Sequence, residues 1–233
     1  MALNQTQVRA LTTSQIGALS TTQLDSFSST ALGYLTVTQF GFLSGTQLDS
    51  LTSTQFQAFT TTEFAALTAT QITALSSTTL GGLTNAQIGA INTTNVALLS
   101  AGQLSGLSST QVSALSAINF ASFPTTQPLN LSASQLNSLT VAEIASITTT
   151  QLSGLLPAAL GGLNTTNFGA LTATQFAAFT TTQIKGLSAT DLATLTAAQF
   201  AAITPTQMTA LTVTQIAALN TTDIAAISID QLA

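Results

Sequence analysis

Apolar residues return along this chain with a period of eight. From Leu3 the sequence divides, without insertion or deletion, into 28 octapeptides and a final heptapeptide, beginning LNQTQVRA, LTTSQIGA, LSTTQLDS and ending ISIDQLA. With positions numbered 1 to 8, position 1 is Leu, Ile or Phe in all 29 blocks, and position 6 is apolar in 28, Pro128 being the exception. Position 2 is Ser, Thr or Asn in 27 blocks, with Pro124 and Leu156 outside the rule. Position 5 is Gln in 19 and Glu, Asp or Asn in seven more, and position 8 is usually Ala, Gly or Ser.

These columns spell a helix start. A hydroxyl or amide followed three residues later by Gln or Glu forms a capping box, and the apolar residues flanking it form a hydrophobic staple. In FTTTEFAA (Phe59–Ala66) the cap is Thr60, its partner Glu63, and the staple Phe59 with Phe64. Pro157 and Pro205 both fall at position 3, the first helical residue, where a missing N–H costs nothing. Glu63, Glu143, Asp191 and Asp223 all fall at position 5, in the first turn, where the helix dipole favours negative charge. Each block therefore predicts a helical stub over positions 3 to 8, followed at once by the next start.

A six-residue helix is not stable alone in water. The stubs must bury columns 1 and 6 in a common core, which predicts an all-α solenoid of very short helices, one per block. Small residues at position 8 would let stubs approach closely. Phe27, Phe59, Ile91 and Phe123 depart from Leu at column 1 every 32 residues, which suggests four blocks per superhelical turn. The competing fold is a β-solenoid with columns 4, 6 and 8 inward, favoured by the Thr content. The Ala content, the adjacent inward columns 8 and 1, and the position-3 prolines weigh against it. The array reads as one continuous domain over residues 1–233, irregular only at FPTTQPLN (Phe123–Asn130), where prolines at positions 2 and 6 should distort or abolish the stub.

Composition narrows the function. Charged residues make up 4% of the chain, against roughly 25% in globular proteins, so the surface is polar but nearly uncharged. With Arg9 and Lys185 the only basic residues, nucleic-acid binding by counterion release is excluded. The chain has no Cys and no His, which removes thiolate chemistry and the commonest general bases and metal ligands. No long apolar run suggests a membrane span, and the start, MALNQTQVRALTTSQ, does not read as a cleaved signal peptide. Asp25 and Asp49 share position 7, three blocks apart, and read as solvated surface acids. Gly81-Gly82 and Gly161-Gly162 read as tight turns or close contacts. Asn4, Asn92, Asn130, Asn164 and Asn220 match the N-glycosylation pattern, but at four of these sites the repeat itself generates the match. No catalytic, cofactor-binding or metal-binding residue is singled out.

The blocks LTTSQIGA, LTATQITA and LTVTQIAA resemble the octapeptide arrays of large bacterial secreted or surface proteins, and the resemblance covers the whole chain. It implies extracellular structural or adhesive use. The Ser/Thr/Asn/Gln/Ala-rich, Cys-free, Trp-free composition is also similar to that of exported filament subunits such as flagellin. Neither end carries a distinct polar capping block, and a solenoid with open ends and little charge is expected to stack on copies of itself. The leading expectation is thus a non-enzymatic subunit, without cofactor, that assembles head to tail into an extracellular filament or sheath. The alternative is a binding module. Thr occupies position 4 in 20 blocks, and such hydroxyl rows could hold an ordered surface such as ice or a polysaccharide. As the second helical residue, position 4 is expected instead to pack beneath its neighbour.

Overall fold

The computed structural model describes residues 3–232, with side chains for all of these except 116–119, 121 and 232. Among the described residues it contains 27 α-helices, one 3-10 turn and no strand. The chain is an all-α solenoid of short helices, and the β-solenoid is set aside. All the helices but one are four to six residues long, and they begin at position 3. The preceding cap residue is extended, as at Thr52 (φ −68°, ψ 156°), and its hydroxyl accepts from Gln55 N–H. Gln55 Oε1 in turn accepts from Thr52 N–H at 3.0 Å. Such a cap is worth about 1 kcal/mol, and the box repeats along the array. Pro157 and Pro205 each begin a helix, as their position predicts. Position 8 usually lies just beyond the helix in right-handed backbone (Ala18, φ −86°, ψ −6°), so the stubs are slightly shorter than the six residues expected.

Columns 1 and 6 form the core. Phe40, Phe56 and Phe64 from column 6 and Phe59 from column 1 are all buried. The rings of Phe40 and Phe59 meet edge-on with centroids 4.8 Å apart. Phe168, Phe176 and Phe179 form a second such cluster, with centroid separations of 5.5 and 5.3 Å. Burying each ring stabilises the fold by about 1.5–3 kcal/mol. Two compact units are formed, Met1–Pro124 and Thr125–Ala233, and the same packing rules operate within each.

The turn of the solenoid is shorter than the 32-residue pattern suggests. Each helix packs chiefly on the one three blocks away: Gly45–Ser50 lies against Thr21–Asp25 on one side and Ala69–Ala74 on the other. Position-5 glutamines fix the register. Gln39 Nε2 donates to the carbonyls of Val8 (3.0 Å) and Leu11 (2.8 Å), 31 and 28 residues back. Gln71 does the same to Phe40 and Leu43, Gln103 to Ile72 and Leu75, and Gln183 to Leu152 and Leu155. A separation of 28 residues is three and a half octapeptides, so successive turns are offset by half a block. The carbonyls concerned close the preceding turns at positions 6 and 1. Burial would leave them partly unsatisfied, and an orphaned buried carbonyl costs about 1–3 kcal/mol.

Close approach explains both Gly-Gly pairs. No described residue has positive φ, so Gly81-Gly82 and Gly161-Gly162 are contacts rather than left-handed turns. Position 8 lies against position 3 of the block three before it. A β-carbon at Gly186 would collide with Pro157, and one at Gly106 would lie 2.7 Å from the Ser77 carbonyl.

Two departures surround the mid-chain. The helix Ser109–Asn119 runs through the break expected at Leu115–Ser116 and passes into a 3-10 turn, Phe120–Ser122. Ala114, Leu115 and Ala117 are good helix formers, and helical backbone ends before Phe123, the residue preceding Pro124. In FPTTQPLN the stub is lost, as the two prolines predict. Pro128 has no N–H to give the cap carbonyl, a bond that position 6 makes in other blocks (Phe56 N–H to Thr52 O, 2.9 Å). Leu129 is buried in its vicinity instead, its N–H donating to Gln151 O at 2.9 Å.

Candidate functional site

Position 4 is exposed in every block whose side chain is described, from Thr6 to Asp230. This corrects the expectation that it packs beneath a neighbour. As the second residue of a stub that buries positions 5 and 6, it points away from the core, and the Thr rows face solvent. Neighbouring turns touch there: Thr110 Oγ1 donates to Asn85 Oδ1 at 3.3 Å.

Four of the carboxylates, those of Asp25, Asp49, Glu63 and Asp191, hold neighbouring segments by hydrogen bonds. At position 5, Glu63 accepts from Thr60 N–H (2.8 Å) and from its hydroxyl, and Asp191 accepts from Ser188 N–H (3.0 Å). Both complete capping boxes as expected. Asp25 accepts from Ser50 Oγ at 3.2 Å. Asp49 does more than face solvent. Block 10 carries Thr79 where Gln is usual, and Thr79 cannot reach back to its own cap N–H. Asp49 Oδ1 takes that role from 27 residues away, accepting from Ser76 N–H (2.7 Å) and Thr79 Oγ1 (2.6 Å). Partial burial pushes its pKa up, but the hydrogen bonds from Thr79 and Ser76 outweigh that and hold the carboxyl below its ordinary value. Asn137 repeats the device for Asn164, whose position-5 partner Asn167 is likewise short: Asn137 Oδ1 accepts from Asn164 N–H at 2.8 Å. The sequence showed the gaps at Thr79 and Asn167. Without the turn length it did not show which residues fill them.

Asn4, Asn92, Asn164 and Asn220 serve as caps, accepting from the backbone N–H of Gln7, Asn95, Asn167 and Asp223 respectively. Asn130 lies exposed in the helix-free segment. Among the described residues no group of three or more His, Cys, Asp or Glu could hold a metal ion. No helix among them is long and apolar enough to cross a membrane. One open groove of about 400 Å³ is lined by Ser29, Thr30, Tyr34, Thr54 and Gln57. It offers one aromatic ring and neutral polar groups.

The columns change character at the two ends of the array. Gln7, Gln15 and Gln23 complete their capping boxes through Oε1, yet they are exposed, whereas Gln39, Gln47 and Gln71 are buried. Towards the other end, Ile216 and Ile224 of column 6 are 49% and 50% exposed, where Phe200 and Ile184 of the same column are 0% exposed. Val213 and Ile229, at position 3, are 85% and 86% exposed. No family model and no curated protein matched the sequence.

Proposed function

We propose that this chain is a non-enzymatic structural subunit that assembles head to tail into an extracellular filament or sheath. The observation that carries the reading is the apolar surface at Val213, Ile216, Ile224 and Ile229, formed partly from a column that the fold buries elsewhere. Large apolar side chains open to water favour a covering partner. Covering them with a different face of a second copy makes a heterologous contact, which propagates when it does not close. The scarcity of charge removes the repulsion that keeps copies apart. Extracellular, bacterial placement rests on the resemblance of LTTSQIGA-type blocks to secreted arrays. The test is sedimentation and negative-stain electron microscopy across a concentration series, with filaments expected above a critical concentration. Particles that stay monomeric at every concentration would overturn the reading.

A second reading is favoured by the exposed position-4 threonines, which form a repetitive hydroxyl surface suited to adhesion on an ordered polysaccharide or ice. Replacing Thr174, which is exposed, by Lys would spare the fold and reduce retention on crystalline polysaccharide. Unchanged retention would exclude the hydroxyl row.

A further inference from the structure

We propose that Asn130 is an attachment site for an N-linked sugar, and that the fold reserves this role for it among the five matching sites. The pattern Asn-x-Ser/Thr marks an acceptor where the chain is open to a transferase. Exposure alone does not separate the five, since Asn4, Asn164 and Asn220 are exposed as well. Their tasks do. Asn4, Asn92, Asn164 and Asn220 each cap a helix that begins at the next residue. Their Oδ1 atoms accept the backbone N–H three residues on, at 3.0, 2.9, 2.8 and 2.9 Å respectively. Asn92 also commits its Nδ2 to the Ala65 carbonyl at 3.1 Å. A carboxamide folded over a helix start is not presented to an enzyme, and drawing it away forfeits a cap worth about 1 kcal/mol.

Asn130 stands outside that pattern. It is the only Asn at position 8, so its match with Ser132 does not come from the cap column. The cap of the following helix, Ala133–Leu136, is Ser132 itself, which accepts from Gln135 N–H at 3.3 Å. Asn130 lies two residues ahead of it and has no cap to make. The prolines of FPTTQPLN remove the stub, and from Pro128 to Ser132 the backbone is not helical. Leu129 and Leu131 are 0% and 2% exposed, while Asn130 between them is exposed, the alternation of an extended chain. Leu129 N–H anchors this stretch on the Gln151 carbonyl at 2.9 Å. Two buried leucines therefore hold the Asn130 side chain outward on an open but fixed backbone. The step is a substitution at the anomeric carbon of a sugar diphosphate. Asn130 Nδ2 forms the new C–N bond and the bond from that carbon to the diphosphate oxygen breaks. The diphosphate leaves with the electron pair, and the Nδ2 proton passes to a base of the transferase.

The test gives the folded full chain uridine-diphosphate glucose and a purified N-glycosyltransferase that acts on Asn-x-Ser/Thr, and reads the product by intact mass and peptide fragmentation. One hexose is expected, on Asn130, whereas short peptides spanning each of the five sites are expected to accept it alike. Asn130→Gln and Ser132→Asp should each abolish uptake by the folded chain. Asp still caps the helix but lacks the hydroxyl of the pattern, and circular dichroism confirms that both variants fold. A folded chain that takes no sugar, or takes it on a cap Asn, overturns the proposal. Peptides that differ as the folded sites do would assign the selection to local sequence and overturn the role of the fold. In chain isolated from the cells that make it, added mass confined to Asn130 is expected. A single hexose identifies a nucleotide-linked donor and an oligosaccharide a lipid-linked one, while the bare mass overturns use of the site in the cell. None of these readouts depends on assembly, so their failure is distinct from failure of the head-to-tail reading.

Discussion

The position-5 glutamine does two tasks with one amide. Its oxygen accepts from the cap three residues earlier, and its nitrogen donates to two carbonyls a full turn away, so that the glutamines form a ladder between turns. Glu can do only the first. Gln71→Glu, at a residue 2% exposed, is therefore expected to cost at least about 1–3 kcal/mol, the cost of leaving buried partners unmet. Urea denaturation checks it, and Gln7→Glu serves as the neutral control. Asp49 supplies a second prediction. Asp49→Ala strips the acceptor from Ser76 N–H and should cost about 1 kcal/mol. In a Thr79→Gln background the missing rung is restored and the same change should cost close to nothing, a coupling that a double-mutant cycle measures. The folded carboxyl of Asp49 titrates below its ordinary value of 3.8. Its contribution is thus complete above that pH and is lost as acid carries the solution down through the folded pKa. Asp49→Asn should flatten that acid limb, as followed by circular dichroism against pH.

At the scale of one helix, the capping box, the staple and the first-turn prolines were legible because each is a local pattern within eight residues. Thr60 with Glu63 and Pro205 ahead of Gln207 needed no knowledge of the rest of the chain. The long-range half of the ladder was not legible, because the local role already accounted for a Gln at position 5. One signal pointed further: a first-turn carboxylate satisfies the box and the dipole, yet Gln stands there in 19 blocks. A preference for the amide over the acid asks for a donor. The 32-residue spacing of Phe27 and Phe59 misled because side-chain size at column 1 reports local filling of the core, whereas the amide reports the pitch. Packing between turns gives a prediction at this scale. Gly186→Val, forced against Pro157, should lower stability by about 1–3 kcal/mol through overpacking. Leu171→Asp, at a residue 3% exposed, should unfold its neighbouring blocks, seen as lost helical signal. An intact fold there would refute the assignment of column 1 to the core.

Across the whole molecule the ladder decides how the chain can fold. The earliest complete rung needs the chain from Val8 to Gln39 in place, so no fragment confined to the first four blocks makes one. Closing that 31-residue loop costs on the order of 3 kcal/mol before constants, and it must be met before any stub is held. Each block added afterwards closes no wider loop. Folding is then a nucleated growth in which the barrier belongs to one turn and the gain accrues per block, as in a helix–coil transition with the octapeptide in place of the residue. Because every contact spans about one turn, lengthening the array lowers its relative contact order, and a longer chain has more places to start. Nested fragments extended one block at a time should stay unfolded until the fifth block and then gain stability in near-equal steps.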